Sequence, residues 1–279
     1  QHVENVVRLL DEGNTIPFIA RYRKELHGAM DDTSLRTLEE RLGYLRGLEE
    51  RRAAVKNAID EQGKLTDELA AAIDAAQTLA ELLRGVLPLM PDASVLVVGL
   101  GNRAITPDAV GPDAIDSVMV TRHLREQLPE HFGQFRPVAA LAAGVLGTTG
   151  VESADMIRAL AAHLHPDAII AVDALACAEL GRLGRTVQLT DTGITPGSGV
   201  GNDRAGLSRD TLGIPVAAIG LPTVIDAGGF SDDPRAEQMF VTPRDIDTIV
   251  RDAAKLIGYG INLALHDGLT IGDVDMFLS

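Results

Sequence analysis

"VVGLGNRAITPDAVGP", residues 97–112, decides how the chain folds and where its chemistry sits. A hydrophobic run enters a Gly-x-Gly loop, and Asp108 follows a few residues later. The loop is either a nucleotide cradle or a mount for the Asp108 carboxyl. Working outward, similar short apolar runs recur: "SVLVVGL" (94–100), "PVAALAA" (137–143), "DAIIAVDAL" (167–175), "TVQLTD" (186–191) and "IPVAAIGLP" (214–222). Helical patterns lie between and after them, notably "SADMIRALAAHLH" (153–165) and "PRDIDTIVRDAAKLIGYGINLALHD" (243–267). Near-continuous apolar strands alternating with helices predict an α/β fold: a mostly parallel sheet flanked by helices. In such sheets the loops at the strand carboxyl ends carry the site.

The opening part has a different period. In "DDTSLRTLEERLGYLRGLEERRAAVKNAIDEQGKL", Leu35, Leu38, Leu42, Leu45 and Leu48 recur at spacings of three and four, one face of a helix. A further helix from Thr66 turns Leu69, Ile73, Ala76, Leu79 and Leu83 inward. The expected organisation is an all-helical N-terminal domain over 1–85, a linker with two prolines over 86–93, and an α/β domain over 94–279.

Composition bounds the function. The chain has 279 residues, 46% hydrophobic and 3% aromatic, so its core is mainly Ala, Val, Ile and Leu. No apolar run reaches the ~20 residues that span a bilayer. Net charge is −15, which disfavours binding to phosphate backbones. Cys177 is the single cysteine, so no internal disulfide forms and a cytoplasmic setting is expected. The first residue is Gln1, which reads as a processed, truncated or engineered product.

The nucleotide reading of the loop fails on its surroundings. Gly99-x-Gly101-x-x-Ala104 fits the dinucleotide fingerprint loosely, but Thr106-Pro107 interrupts where a helix should start. The carboxylate reading fits better. Asp108 follows the first strand and Asp173 stands at the last position of "IIAVD". Two carboxyls held close share one proton, so one serves as base toward water and the other as acid toward a carbonyl. Helix capping is the structural alternative for Asp108. Asp191-Thr192-Gly193 is a single copy of a tripeptide that pepsin-like proteases use in pairs, and "TPGSGVGND" beyond it suits close approach of a substrate backbone. Ser198 lacks the flanking pattern of a hydrolase nucleophile. None of the seven histidines has metal-ligand spacing, so no metal or cofactor is expected, and Cys177 reads as part of a buried small-residue face.

Together "VVGLGNRAITPDAVGP", "VTRHL", "GVLGTTGVES", "IIAVDALA", "LTDTGITPGSGVGNDRAGLSRDTLGIPVAAIGLPTVIDA" and "VTPRDID" resemble the germination proteases over about 93–279. That resemblance implies an atypical aspartic endopeptidase that degrades small acid-soluble spore proteins, cutting after Glu. It also implies a homotetramer made as a zymogen, located in the spore core, with a fold akin to hydrogenase-maturation endopeptidases. Its catalytic pair falls on Asp108 and Asp173. Asn102, Asp191, Gly193, Ser198, Gly199 and Asn202 are then expected to shape the site and hold substrate. The nickel-recognising maturation endopeptidases supply an alternative. Residues 3–83 instead resemble the helical N-terminus of Tex-type transcription accessory proteins, so the chain reads as a fusion. That likeness supplies a second alternative, a non-catalytic nucleic-acid-associated protein.

Overall fold

In the computed structural model, residues 2–28, 30–60, 66–198, 201, 204–230, 233, 235–236 and 239–279 are described. The chain divides into two compact units, Gln1–Thr66 and Asp67–Ser279.

The first unit is helical: α1 (His2–Asp11), α2 (Ile16–Tyr22), α3 (Lys24–His27) and α4 (Asp32–Asp60). Pro17 sits in the first turn of α2, where its missing N–H costs nothing. The core is small, with Val6, Leu9, Ile16, Ile19 and Leu35 buried and Leu38 packed against them. Of the α4 leucines, Leu35 at the start of the helix is buried and Leu45 is exposed.

The second unit opens with α5 (Asp67–Val86). Next come β1 (Val95–Leu100), α6 (Val110–Ile115), α7 (Arg122–Gln127), α8 (Pro129–Phe132), β2 (Val138–Gly144), α9 (Leu146–Thr149) and α10 (Ser153–Leu164). The chain continues through β3 (Ala168–Cys177), β4 (Gln188–Thr190), α11 (Arg209–Leu212), β5 (Val216–Asp226), β6 (Phe240–Val241), α12 (Ile246–Leu265) and α13 (Ile271–Leu278). The sheet order is β2-β1-β3-β5-β4, with β6 on β5. β1, β2, β3 and β5 are parallel, while β4 and β6 run antiparallel to β5.

Alternation along the strands builds two apolar layers. Val95 and Val97 of β1, with Ile170 and Val172 of β3, face α5, α6 and α12; Leu96, Val98, Leu100, Ile169 and Ala171 face α10. The helix from 67 belongs to this unit rather than to a domain ending at 85. Ile73, Ala76, Leu79 and Leu83 are buried, and α5 packs along α12. The stretch after α5 is not a free linker either. Leu87 and Ala93 are buried, and the Arg136 guanidinium donates to the Met90, Ala93 and Leu265 carbonyls.

Two strand-level expectations also change. β3 continues past Asp173 to Cys177, because β5 pairs with it along that whole length. β4 is antiparallel, so residues after it return toward the amino-terminal edge of the sheet.

Candidate active site

β1 and β3 are neighbours, yet the next strand after β1, β2, lies on the other side of it. Chain connections therefore diverge between β1 and β3, leaving a crevice at their carboxyl ends. The loop after β1 fills one wall. Asn102 begins it with an Asx turn, its Oδ1 accepting the Ala104 N–H at 3.0 Å. Thr106–Asp108 forms a 3-10 turn, closed by the Asp108 N–H on the Ile105 carbonyl at 2.7 Å. Arg103 pins this loop to α6, pairing with both Asp116 oxygens at 2.6 and 3.0 Å and donating to the Pro112 carbonyl.

The glycines of the motif are used for packing. A Cβ on Gly99 would lie 2.3 Å from the Gly111 carbonyl oxygen, and one on Gly111 would lie 2.2 Å from that of Leu100. Gly101 has φ +112°, and a Cβ there would meet the Asp108 carbonyl oxygen at 2.1 Å. The room a pyrophosphate would need is thus taken by α6 and by the Asp108 backbone. The loop mounts Asp108.

Asp108 and Asp173 line one cleft of about 560 Å³. The Asn102 backbone N–H donates to Asp108 Oδ2 at 2.8 Å. Burial raises the Asp108 carboxyl above its ordinary value, and that N–H pulls the other way. Asp173 is 5% exposed, and its Oδ1 accepts the Ala174 N–H at 2.9 Å. Burial first, and then the Asp108 charge, push Asp173 up to about 7. Two carboxyls raised by burial in one cleft suit general acid–base work on a peptide carbonyl.

The other expected residues separate. Asn102 approaches Asp108 through its backbone. Gly197 and Ser198 line the Asp108–Asp173 cleft, and Gly193 lines an adjoining one of about 530 Å³ that shares Leu175, Gln188, Thr195 and Ser198 with it. Gly193 is required there for another reason: its φ is +86°, and a Cβ would lie 2.1 Å from the Leu207 carbonyl oxygen. Asp191 is exposed beside Asp167, Pro215 and Val216 at the amino-terminal edge of the sheet, away from the pair. Antiparallel β4 delivers it there. Gly199 and Asn202 lie outside the described residues. His123 is exposed on α7, and Cys177, at the end of β3, is part-exposed rather than buried. Among the described residues no three His, Cys, Asp or Glu side chains gather as a metal site.

Gln188 and Arg204 are among the polar groups of the cleft that sequence reasoning missed. Gln188 is the polar residue inside "TVQLTD", a run too short to show which way it faces. Arg204 is the one cation among the described residues lining the cleft, pairing with Glu152 at 3.2 Å. It follows the glycine-rich loop, a signal that a polar wall was near.

Among the described residues no helix is long and apolar enough to cross a membrane. A family model described as germination protease matches residues 53–236, and one described as Tex-like protein N-terminal domain matches residues 1–60. The protease likeness thus begins well before residue 93 and takes in α5, in keeping with the division after Thr66. A germination protease of Clostridium tetani is 38% identical over 245 residues, covering 73% of this chain and 76% of that one. One from Caldanaerobacter subterraneus is 37% identical over 261 residues, covering 79% and 81%. One from Priestia megaterium is 53% identical over 148 residues, covering 53% and 40%. Among solved structures, a [NiFe] hydrogenase maturation protease, HycI, from Thermococcus kodakarensis aligns with TM-score 0.38 at 18% identity, covering 67% of this chain and 98% of that one. With a family model over most of its length and relatives of this identity, the chain belongs to the germination protease family and is an endopeptidase.

Proposed function

We propose that the chain hydrolyses peptide bonds with Asp108 and Asp173 acting as a pair on one water molecule. The observation that carries this reading is two carboxyls, both raised by burial, facing one cleft at the divergence of β1 and β3. Asp173, the deeper of the two, holds the proton and donates it as a hydrogen bond to the scissile carbonyl oxygen. Asp108, whose carboxylate accepts the Asn102 N–H, serves as the ionised partner and takes a proton from water as the water oxygen attacks the carbonyl carbon. The tetrahedral intermediate collapses with proton return to the leaving nitrogen, giving one carboxyl and one amine terminus.

The substrates we propose are small acid-soluble spore proteins, cut after Glu; the homotetramer, the zymogen stage and the spore-core location belong to the same proposal. These rest on the sequence resemblance. Incubating the purified chain with a small acid-soluble spore protein and mapping fragments by mass spectrometry tests the substrate. Discrete cleavage after Glu is expected. An intact substrate alongside cleavage of unrelated unfolded proteins would refute the substrate class.

A further inference from the structure

Strand β3 outlasts its neighbour. β1 pairs with β3 only as far as Gly99 opposite Val172, whereas β5 pairs with β3 to Cys177. β1 leaves because Gly101, at φ +112°, turns the chain away into the Asp108 loop. Among the described residues, therefore, β3 has a strand on one side only from Asp173 onward.

The direction of its backbone groups follows from the ladder. The Ala168 N–H points to the Ser94 carbonyl on the β1 side, and the Ile169 N–H to the Pro215 carbonyl on the β5 side. In parallel pairing this alternates residue by residue; the register shift between Leu175 and Ala176 skips Thr223 on β5 and inserts no residue into β3. Even-numbered residues thus present their N–H and C=O toward β1, and Val172 is the last to find β1 there. Ala174 and Ala176 present theirs to the space β1 has vacated. The Asp173 carboxylate takes the Ala174 N–H. Among the described residues the Ala174 carbonyl and the Ala176 N–H and carbonyl have no strand partner on that side, and both alanines line the Asp108–Asp173 cleft. Leu100, Gly101, Val145 and Ser153 line the same cleft.

An open strand edge is a template for another strand. We infer that the polypeptide substrate binds in extended form, added as a strand to the free edge of β3 at Ala174–Ala176 in the place β1 leaves, so that its scissile carbonyl lies beside Asp173. This rests on the endopeptidase reading of the same cleft. The occupant is an unfolded segment of polypeptide, because a helix or tight turn keeps its own N–H and C=O groups paired. Recognition by main-chain hydrogen bonds also requires an unfolded segment around the bond that is cut.

The test uses the full chain and a synthetic peptide spanning a bond the enzyme cuts. The peptide is N-methylated at one residue at a time, leaving the scissile amide untouched. Each lost main-chain hydrogen bond is expected to lower kcat/KM about five- to tenfold. The loss should alternate, with sensitive positions two residues apart and tolerant ones between them. In parallel, Ala176→Pro removes the N–H on that edge and sets the proline ring in its place, as an edge strand permits, and should raise KM about tenfold at similar kcat. A flat or non-alternating N-methyl profile on a peptide that is cut normally overturns the strand addition and leaves the protease reading standing. No cleavage of any unmodified peptide or protein overturns the protease reading itself, and the strand addition with it.

Discussion

Replacing Asp173 by Asn should stabilise the α/β unit while abolishing its activity. The buried Asp173 carboxyl releases its proton at about 7 rather than at 3.8. In the unfolded chain the proton leaves near the ordinary value. Between those two pH values the folded state holds more protons than the unfolded state, so stability falls as pH rises from about 4 to about 7 and stays low above that. At 1.36 kcal/mol per pH unit, the cost of charging Asp173 at pH 8 is about 4 kcal/mol. Asn has nearly the same shape, carries no charge, and keeps an oxygen for the Ala174 N–H. The expected gain for Asp173→Asn is about 2–4 kcal/mol at pH 8 and below about 1 kcal/mol at pH 4, the lower bound at pH 8 allowing for water in the cleft. The wild-type profile alone hides this effect. His266 is buried, and burial together with nearby Arg136 lowers it to about 4, so its contribution rises with pH over the acidic range. The difference between wild type and variant cancels His266. Urea unfolding at both pH values measures it, with hydrogen exchange at Ile169–Val172 assigning the transition to this unit. A difference that does not grow with pH, or a variant less stable than wild type at pH 8, would refute the reasoning.

Other expectations can be checked with simple variants. The cleavage rate should fall as pH rises through about 7, where Asp173 loses its proton, and fall again on the acid side as Asp108 gains one; initial rates from pH 4 to 9 that climb throughout would contradict this. Gly101→Ala places a Cβ on the Asp108 carbonyl in a left-handed backbone position and should cost about 2–4 kcal/mol with a large loss of activity. Gly85→Ala, inside α5 with nothing within 4 Å, should instead raise the melting temperature by about 2–4 °C, so melting the two variants separates packing from helix propensity. Removing residues 1–66 should leave a cooperatively melting α/β unit by circular dichroism, whereas removing residues 1–86 takes away Ile73, Leu79 and Leu83 and should abolish that transition.

Much of this architecture was legible because its signals are local. The runs at 94–100, 167–175 and 214–222 are apolar on both faces, as strands covered by helices on both sides must be, and they became β1, β3 and β5. The placement of Asp108 was legible because a carboxyl in the loop after a parallel strand stands at the carboxyl edge of the sheet. What escaped depends on partners distant in sequence. The direction of β4 is set by its pairing with β5, and with it the displacement of Asp191 to the far edge of the sheet. The extension of β3 beyond Leu175 to Cys177 comes from β5 and leaves no mark in "AC" at 176–177. β6, at Phe240–Val241, is two residues long and exists only as a partner of β5. The helix from 67 shows the same period as α4, and only its burial along α12 reveals which unit it completes.

The claim at the centre is that Asp108 and Asp173, and not Asp191, carry out the hydrolysis. The measurement that tests it most directly is the cleavage rate of one unfolded protein substrate by Asp108→Asn, Asp173→Asn and Asp191→Asn side by side, each confirmed as folded. The account predicts losses of about a thousandfold or more for the first two, at the scale of removing an acid or base from a coupled pair, and a rate within about tenfold of wild type for the third. Near-normal cleavage by either of the first two, or a loss confined to Asp191→Asn, would contradict it.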